Sequence, residues 1–284
     1  MEEATSRNGF SIAEAKIPIL LTLRKTEDLR PHEETVQEDL DGIVRALRVD
    51  PVLRHPIIAD SKTGAVLDGT HRLAALKQLG CSRIPAALID YQNPLVRVDR
   101  WFRTVKGRHS VDFRKRIETL SPVHMPNAEA DQSLLARTSY ATLQSSQDCL
   151  VFKTNDSGPL ALYRHSFALE RTARDALAKV GYTDKNNMNE LSPTTTLMST
   201  ILLEKKEVVE SCINRQLFPP KSTRHLIPSR PLGIIVPLEW LRNPNEAEAE
   251  KQFEKHLANK TIRLLPEGSV VGSRRYMEEV ILFE

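Results

Sequence analysis

Cysteine is scarce: Cys81, Cys149 and Cys212 are the only three in 284 residues, and they stand far apart. An odd number with no Cys-x-x-Cys pair argues against a disulfide framework and against a zinc knuckle. It points instead to reduced thiols in a cytoplasmic protein. Net charge is also small. Forty Lys and Arg face 37 Asp and Glu, which leaves +3. A protein built to grip many DNA phosphates carries a larger basic excess, so no nucleic acid partner is expected. Long apolar runs are missing too. The longest early one, Ile17 to Leu23, falls far short of a bilayer crossing. It lacks the basic stretch and small-residue cleavage site of a secretory signal, so neither membrane insertion nor export is expected. There are no internal repeats and no long low-complexity tract. What remains is an ordinary globular balance, 40% apolar and 27% charged. It is enough for a core, at a length that allows one large domain or two small ones.

Ile17 to Leu23 reads as a first strand. Val36, Leu40, Ile43, Val44 and Leu47 then share one helical stripe. Pro56 to Asp60 and Ala65 to Leu67 read as short strands around a turn at Lys62-Thr63-Gly64. Leu73, Leu76 and Leu79 mark a helix stopped by Gly80. Ile84 to Tyr91 and Val96 to Val105 read as two further strands. Ser121 to Gln147 is Pro-, Ser- and Gln-rich and reads as a loop. Beyond it, Leu150 to Lys153 and Leu160 to Tyr163 read as paired strands, and Phe167 to Val180 as a helix stopped by Gly181. Thr196 to Leu203 reads as a strand and Lys205 to Arg215 as a helix. The segment Phe218 to Pro228 looks too basic and turn-rich for core. The tail from Leu241 holds an acidic helix, Glu246 to His256, and two short apolar segments.

The most informative feature is a strand, then Asp68-Gly69-Thr70-His71-Arg72, then a helix. A glycine there lets backbone approach a ligand closely. The free N–H groups of the next helical turn suit a phosphate. Thr70 can add a hydroxyl bond, and His71 and Arg72 charge-assisted ones. Asp68 is placed to hold Mg²⁺. An ordinary turn with Asp68 capping the helix explains the spacing equally well.

The longer string Val66 to Leu76, followed by Ile84-Pro85-Ala86, resembles the nucleotide-binding segment of the ParB/sulfiredoxin superfamily. Sulfiredoxins carry a catalytic cysteine where Thr70 stands. ParB clamps carry a Gly-Glu-Arg-Arg motif and continue into a helix-turn-helix, which this sequence does not show. The free L-serine kinases of the superfamily are similar here and in two other places. Pro31-His32-Glu33 resembles their Pro-His-Glu segment, and Pro220-Lys221-Ser222-Thr223-Arg224-His225 resembles their Pro-Lys-Thr-Thr-Arg-His segment. Trp101 matches a tryptophan beyond their nucleotide segment. Thr70 departs from the histidine of some members, and no counterpart is evident for the tail after Leu241.

That resemblance implies an α+β protein. Its ParB/sulfiredoxin-like nucleotide-binding domain would span 1–115, with a second, smaller α/β domain inserted at 116–215. A return segment, 216–284, would complete the site and carry a C-terminal extension. It implies a Mg²⁺-dependent kinase acting on ADP or ATP and L-serine; a ParB-like, nucleotide-dependent DNA-binding regulator is the alternative. Glu33 would be the catalytic base and Asp68 the metal ligand. Gly69, Thr70, His71 and Arg72 would hold the nucleotide. Trp101, Lys221, Thr223, Arg224 and His225 would hold the substrate. Each has a plainer reading beside it. Glu33 can complement a helix dipole, Lys221 to His225 can be a solvated basic loop, Trp101 can be core, and His32 and His55 can be surface or packing residues.

Overall fold

The computed structural model describes residues 9–106, 111–145, 149–176, 178–184, 195–272 and 274–284. The first ten residues are polar and read as frayed from sequence; all but Gly9 and Phe10 fall outside the described residues, and Phe10 and Ser11 already form a strand. The chain divides into two units. One comprises residues up to Arg97 with Val208–Arg215 and His225–Glu284, the other Val98–Glu207 with Gln216–Arg224. The division falls after Arg97 rather than near residue 115, because the strand Phe102–Lys106 pairs with Lys179–Thr183 and Thr195–Thr200. No described helix is long and apolar enough to cross a membrane.

The first unit is built on a six-stranded sheet in the order Phe10–Ser11, Leu20–Lys25, Arg83–Ile89, Ile57–Asp60, Ala65–Asp68, Arg30–Pro31. Ile57–Asp60 is buried throughout, which is why Ile57 to Ala59 reads as an unbroken apolar run. The helix Gln37–Val49 buries Val44 and Leu47 of the sequence stripe. Gly80, at φ +71°, lies just past the helix Thr70–Gln78. The tail belongs to this unit. The helix Glu246–Ala258, capped by the Asn245 side chain, buries Ala249, Phe253 and Leu257. Its Glu250 carboxylate accepts the Leu23 N–H at 2.9 Å, satisfying a donor on the strand Leu20–Lys25. Val280–Phe283 pairs in parallel with Arg230–Leu232 and antiparallel with Ile262–Leu265.

The second unit holds a six-stranded sheet in the order Val123–His124, Cys149–Phe152, Ala141–Gln144, Thr195–Thr200, Phe102–Lys106, Lys179–Thr183. Four sequence readings are corrected here. The stretch 121–147 is not one loop, since it contains the strands Val123–His124 and Ala141–Gln144 and the helix Asn127–Leu135. That helix buries Ala130, Ser133 and Leu134, too small and polar a face to stand out in sequence. Leu160 to Tyr163 is the first turn of the helix Pro159–Asp175, not a strand. A short apolar run is ambiguous between the two, and Pro159 at the first helical position decides it. Gly181 lies inside the strand Lys179–Thr183 rather than ending a helix. Finally, Val96 to Val105 is two strands, Arg97–Asp99 and Phe102–Lys106. The Asp99 carboxylate takes the Arg100 N–H at 2.7 Å, competing with a ladder bond.

Candidate active site

In the first unit the site begins at the end of the strand Ala65–Asp68. Gly69 has φ +100°, and a Cβ there would lie 2.6 Å from Ile57 Cγ2. Only glycine fits this turn without strain. Gly69 is the N-cap of the helix Thr70–Gln78 and supplies no side-chain cap. The N–H groups of Thr70, His71 and Arg72 therefore open the helix with no intrahelical acceptor, the arrangement that favours an anion. Asp68 does not cap this helix. Its Oδ2 accepts from Arg72 Nη2 at 3.1 Å and from Arg230 Nη1 at 2.8 Å. Burial works against the Asp68 charge, but Arg72, Arg230 and Arg274 outweigh it and hold the carboxyl far below its usual range. Arg72 Nε is buried with no hydrogen-bond partner. For Gly69→Ala we expect a loss of about 1–3 kcal/mol in unfolding free energy; unchanged denaturation would show that the turn relaxes freely.

The segment carrying Glu33 is tied to this turn at three points. Arg30–Pro31 pairs in parallel with Ala65–Val66. His32 Nδ1 donates to the Val66 carbonyl at 2.8 Å. The Val36 N–H donates to His71 Nε2 at 2.9 Å. His71 thus spends Nε2 on the segment rather than on a ligand. Glu33 lies four residues before the helix Gln37–Val49, whose first-turn acids are Glu38 and Asp39; a helix-dipole role does not explain it. Its Oε1 is 3.5 Å from His32 Nε2.

His225 lies in the same unit, while Gln216–Arg224 belong to the other. The segment read as too basic for core is largely buried: Phe218, Ser222, Thr223, Arg224, His225 and Ile227 are all inside. The His225 ring stands perpendicular to His32, 5.4 Å between centroids. Its Nε2 is 2.8 Å from the Tyr91 hydroxyl, and its Nδ1 is buried without a partner. Burial, then the nearby His32, lower its pKa to about 3, so the ring is neutral near pH 7. Burial pushes the Tyr91 phenol well above its usual range. Arg230, 2% exposed, also donates to Glu278 at 2.6 Å and to the His225 carbonyl at 2.9 Å. His55 is a packing residue: its Nδ1 accepts the Gly233 N–H at 3.1 Å, and burial together with Arg72 lowers its pKa to about 4.

In the second unit, Trp101 is half-buried and takes two cations on its ring. Lys221 Nζ lies 5.9 Å and the Arg224 guanidinium 4.9 Å from the centroid. Arg224 is also paired with Asp184 at 2.5 Å. Lys221 has φ +61°, sparsely populated for a side-chain-bearing residue, and its carbonyl accepts from Arg103 Nη2 at 3.2 Å. Thr223 is buried in the same segment.

Sequence reasoning missed Tyr91, Arg230, Glu278 and Asp184, and read His32 as a surface or packing residue. Arg230 lies 162 residues from Asp68, and no local motif announces such a pairing.

No family model matches the sequence. The chain is 27% identical over 232 residues to an ADP-dependent L-serine kinase of Thermococcus kodakarensis, covering 76% of this chain and 90% of that one. It is 24% identical over 278 residues to an ATP-dependent L-serine kinase of Staphylococcus aureus, covering 93% and 97%. The second match takes in residues beyond Leu241, for which the sequence alone showed no counterpart. Among solved structures, a free serine kinase in complex with ADP is similar in fold, with a TM-score of 0.66 at 22% identity over 78% of this chain and 93% of that one.

Proposed function

We infer that this chain belongs to the free L-serine kinase family and transfers the terminal phosphate of ADP or ATP to the hydroxyl of free L-serine, giving O-phospho-L-serine. The observation that carries this reading is the three-point attachment of the Pro31-to-Val36 segment to the Asp68 turn. It joins a carboxylate to a phosphate-sized helix N-terminus in one unit. The two curated relatives, matched over most of their length, support the same reaction. We further read the first unit as a ParB/sulfiredoxin-like nucleotide domain, with the second unit inserted into it.

Phosphoryl transfer asks little covalent chemistry of a protein. It needs positioning, charge neutralisation and a base near the attacking oxygen. The backbone N–H groups of Thr70 to Arg72 hold the nucleotide phosphates, and the buried, unpartnered Arg72 Nε donates to a phosphate oxygen. Glu33 takes the proton from the serine hydroxyl. His225, whose buried Nδ1 has no partner, offers that nitrogen for a bond to the substrate. Trp101 walls the amino acid, with Lys221, Thr223 and Arg224 binding its charged groups.

The donor set fits magnesium in a limited way. Asp68 commits Oδ2 to two guanidinium groups, while Oδ1 has no bond among the described residues. Mg²⁺ commonly takes one or two carboxylates and completes its shell with phosphate oxygens and water. Asp68 Oδ1 would hold it, and the ion would neutralise phosphate charge when bound.

A donor panel tests the reading. Purified protein, Mg²⁺ and L-serine are incubated with ADP, ATP or CTP, and phosphoserine is detected by mass. Phosphoserine is expected with ADP or ATP. Its absence with every donor, accompanied by nucleotide-dependent retention on DNA, would replace the kinase with a ParB-like regulator.

A further inference from the structure

A carboxylate is a weak base for an alcohol near neutral pH, and its efficiency grows as its pKa approaches the working pH. The structure places something against Glu33 that acts in that direction. His32 Nδ1 lies 2.8 Å from the Val66 carbonyl, and a carbonyl only accepts, so Nδ1 carries a proton. In the neutral ring Nε2 is then a lone pair, and it faces Glu33 Oε1 at 3.5 Å. Two acceptors held that close favour a proton between them. The ring cannot turn away without losing the Val66 bond, because the side chain is 3% exposed and stands edge-on against His225.

We propose that His32 is a positioning residue that strengthens Glu33 as a base, offering its Nε2 lone pair to the proton that Glu33 collects from serine. This rests on the kinase reading. The serine O–H bond breaks and its proton passes to Glu33. The serine oxygen forms a bond to the terminal phosphorus, the bond from phosphorus to the bridging oxygen breaks, and its electron pair leaves with the nucleotide. The Glu33 carboxyl then donates to His32 Nε2, so the neutral acid is stabilised when it forms. Among the described residues, groups set against His32 include Glu33 from its own segment, His225 across the ring, and Ser211, whose Oγ donates to the His32 carbonyl at 3.3 Å. Tyr91 lies beyond His225. His225 is neutral near pH 7, so it adds no charge there.

His32→Asn retains a donor near the Nδ1 position and removes the Nε2 acceptor. We expect kcat to fall about tenfold or more, with KM for serine and nucleotide affinity within about twofold. The acid limb of the kcat profile should move to lower pH, because Glu33 loses the group that stabilised its protonated form. Unchanged kcat and pH profile would overturn the proposal. So would a parallel loss of kcat, nucleotide affinity and melting temperature, which marks a purely structural role. A second measurement needs no turnover. Nitrogen-15 NMR of the wild-type imidazoles should show neutral His32 protonated at Nδ1, and Glu33→Gln should move the His32 Nε2 resonance, since that nitrogen faces the substituted group. A neutral ring protonated at Nε2, or an Nε2 resonance indifferent to Glu33→Gln, would refute the proposal even in an active kinase. The donor panel alone judges the kinase reading.

Discussion

Glu33→Gln should reduce phosphoserine formation by at least about 10²-fold, the low end for loss of a positioned base, while nucleotide binding stays close to wild type. The substitution keeps shape and removes only the ability to take a proton. The groups assigned to the nucleotide are the backbone of Thr70 to Arg72 and the Arg72 side chain. The segment should stay where it is. It is held by the strand pairing at Arg30–Pro31, by His32 and by the Val36 N–H, none of which uses the Glu33 carboxylate. Nucleotide affinity measured by calorimetry and turnover measured by phosphoserine mass therefore separate. Near-wild-type turnover would remove Glu33 from the proposed role. Loss of nucleotide binding together with turnover would mean the variant disturbs the turn itself. Serine turnover is the relevant readout, since a base is needed for the acceptor hydroxyl and not for holding the donor.

The nucleotide turn and its flanking elements were legible because local rules and tertiary packing agree there. The stripe Val36, Leu40, Ile43, Val44 and Leu47 anticipated the helix Gln37–Val49. The all-apolar Ile57 to Ala59 anticipated a fully buried strand. Gly69 sits at a turn that rejects any Cβ. The second unit resisted reading because its core faces are small or polar, as with Ser133 and Ala130 in the helix Asn127–Leu135. The segment Phe218 to Pro228 misled for a different reason. Its polar groups are satisfied by partners remote in sequence: Asp184 for the buried Arg224 guanidinium, and Arg103 for the Lys221 carbonyl. Composition counts the charge of Arg224 but not the carboxylate waiting for it. His32 was undervalued on the same grounds, since its role depends on the Val66 carbonyl, 34 residues away.

The buried ion pair between Arg103 and Glu170 should dominate the stability of the second unit. Both side chains are 1% exposed, with Arg103 Nε 3.1 Å from Glu170 Oε2. Glu170 is also held by the Tyr182 hydroxyl at 2.6 Å and by Arg174 Nη2 at 2.9 Å. Burial opposes its charge, but Arg103 and these donors prevail and lower its pKa below the usual value. Removing one partner strands the other charge in the interior. Glu170→Leu is therefore expected to cost about 3–5 kcal/mol, the range for breaking a buried pair from one side. Pairing it with Arg103→Met should recover part of that loss, since no charge then remains uncompensated. Recovery should be incomplete, because Arg103 also donates to the Trp101 carbonyl at 2.7 Å and to the Lys221 carbonyl at 3.2 Å. The pH dependence follows from the lowered pKa: the contribution of Glu170 is present above the unfolded carboxylate value of about 4.3 and fades as pH falls through that range toward the folded value. Urea denaturation of wild type, single and double variants at pH 7 and pH 4 would check both points. A single substitution costing less than about 1 kcal/mol at pH 7 would show that water or a shifted side chain replaces the lost partner.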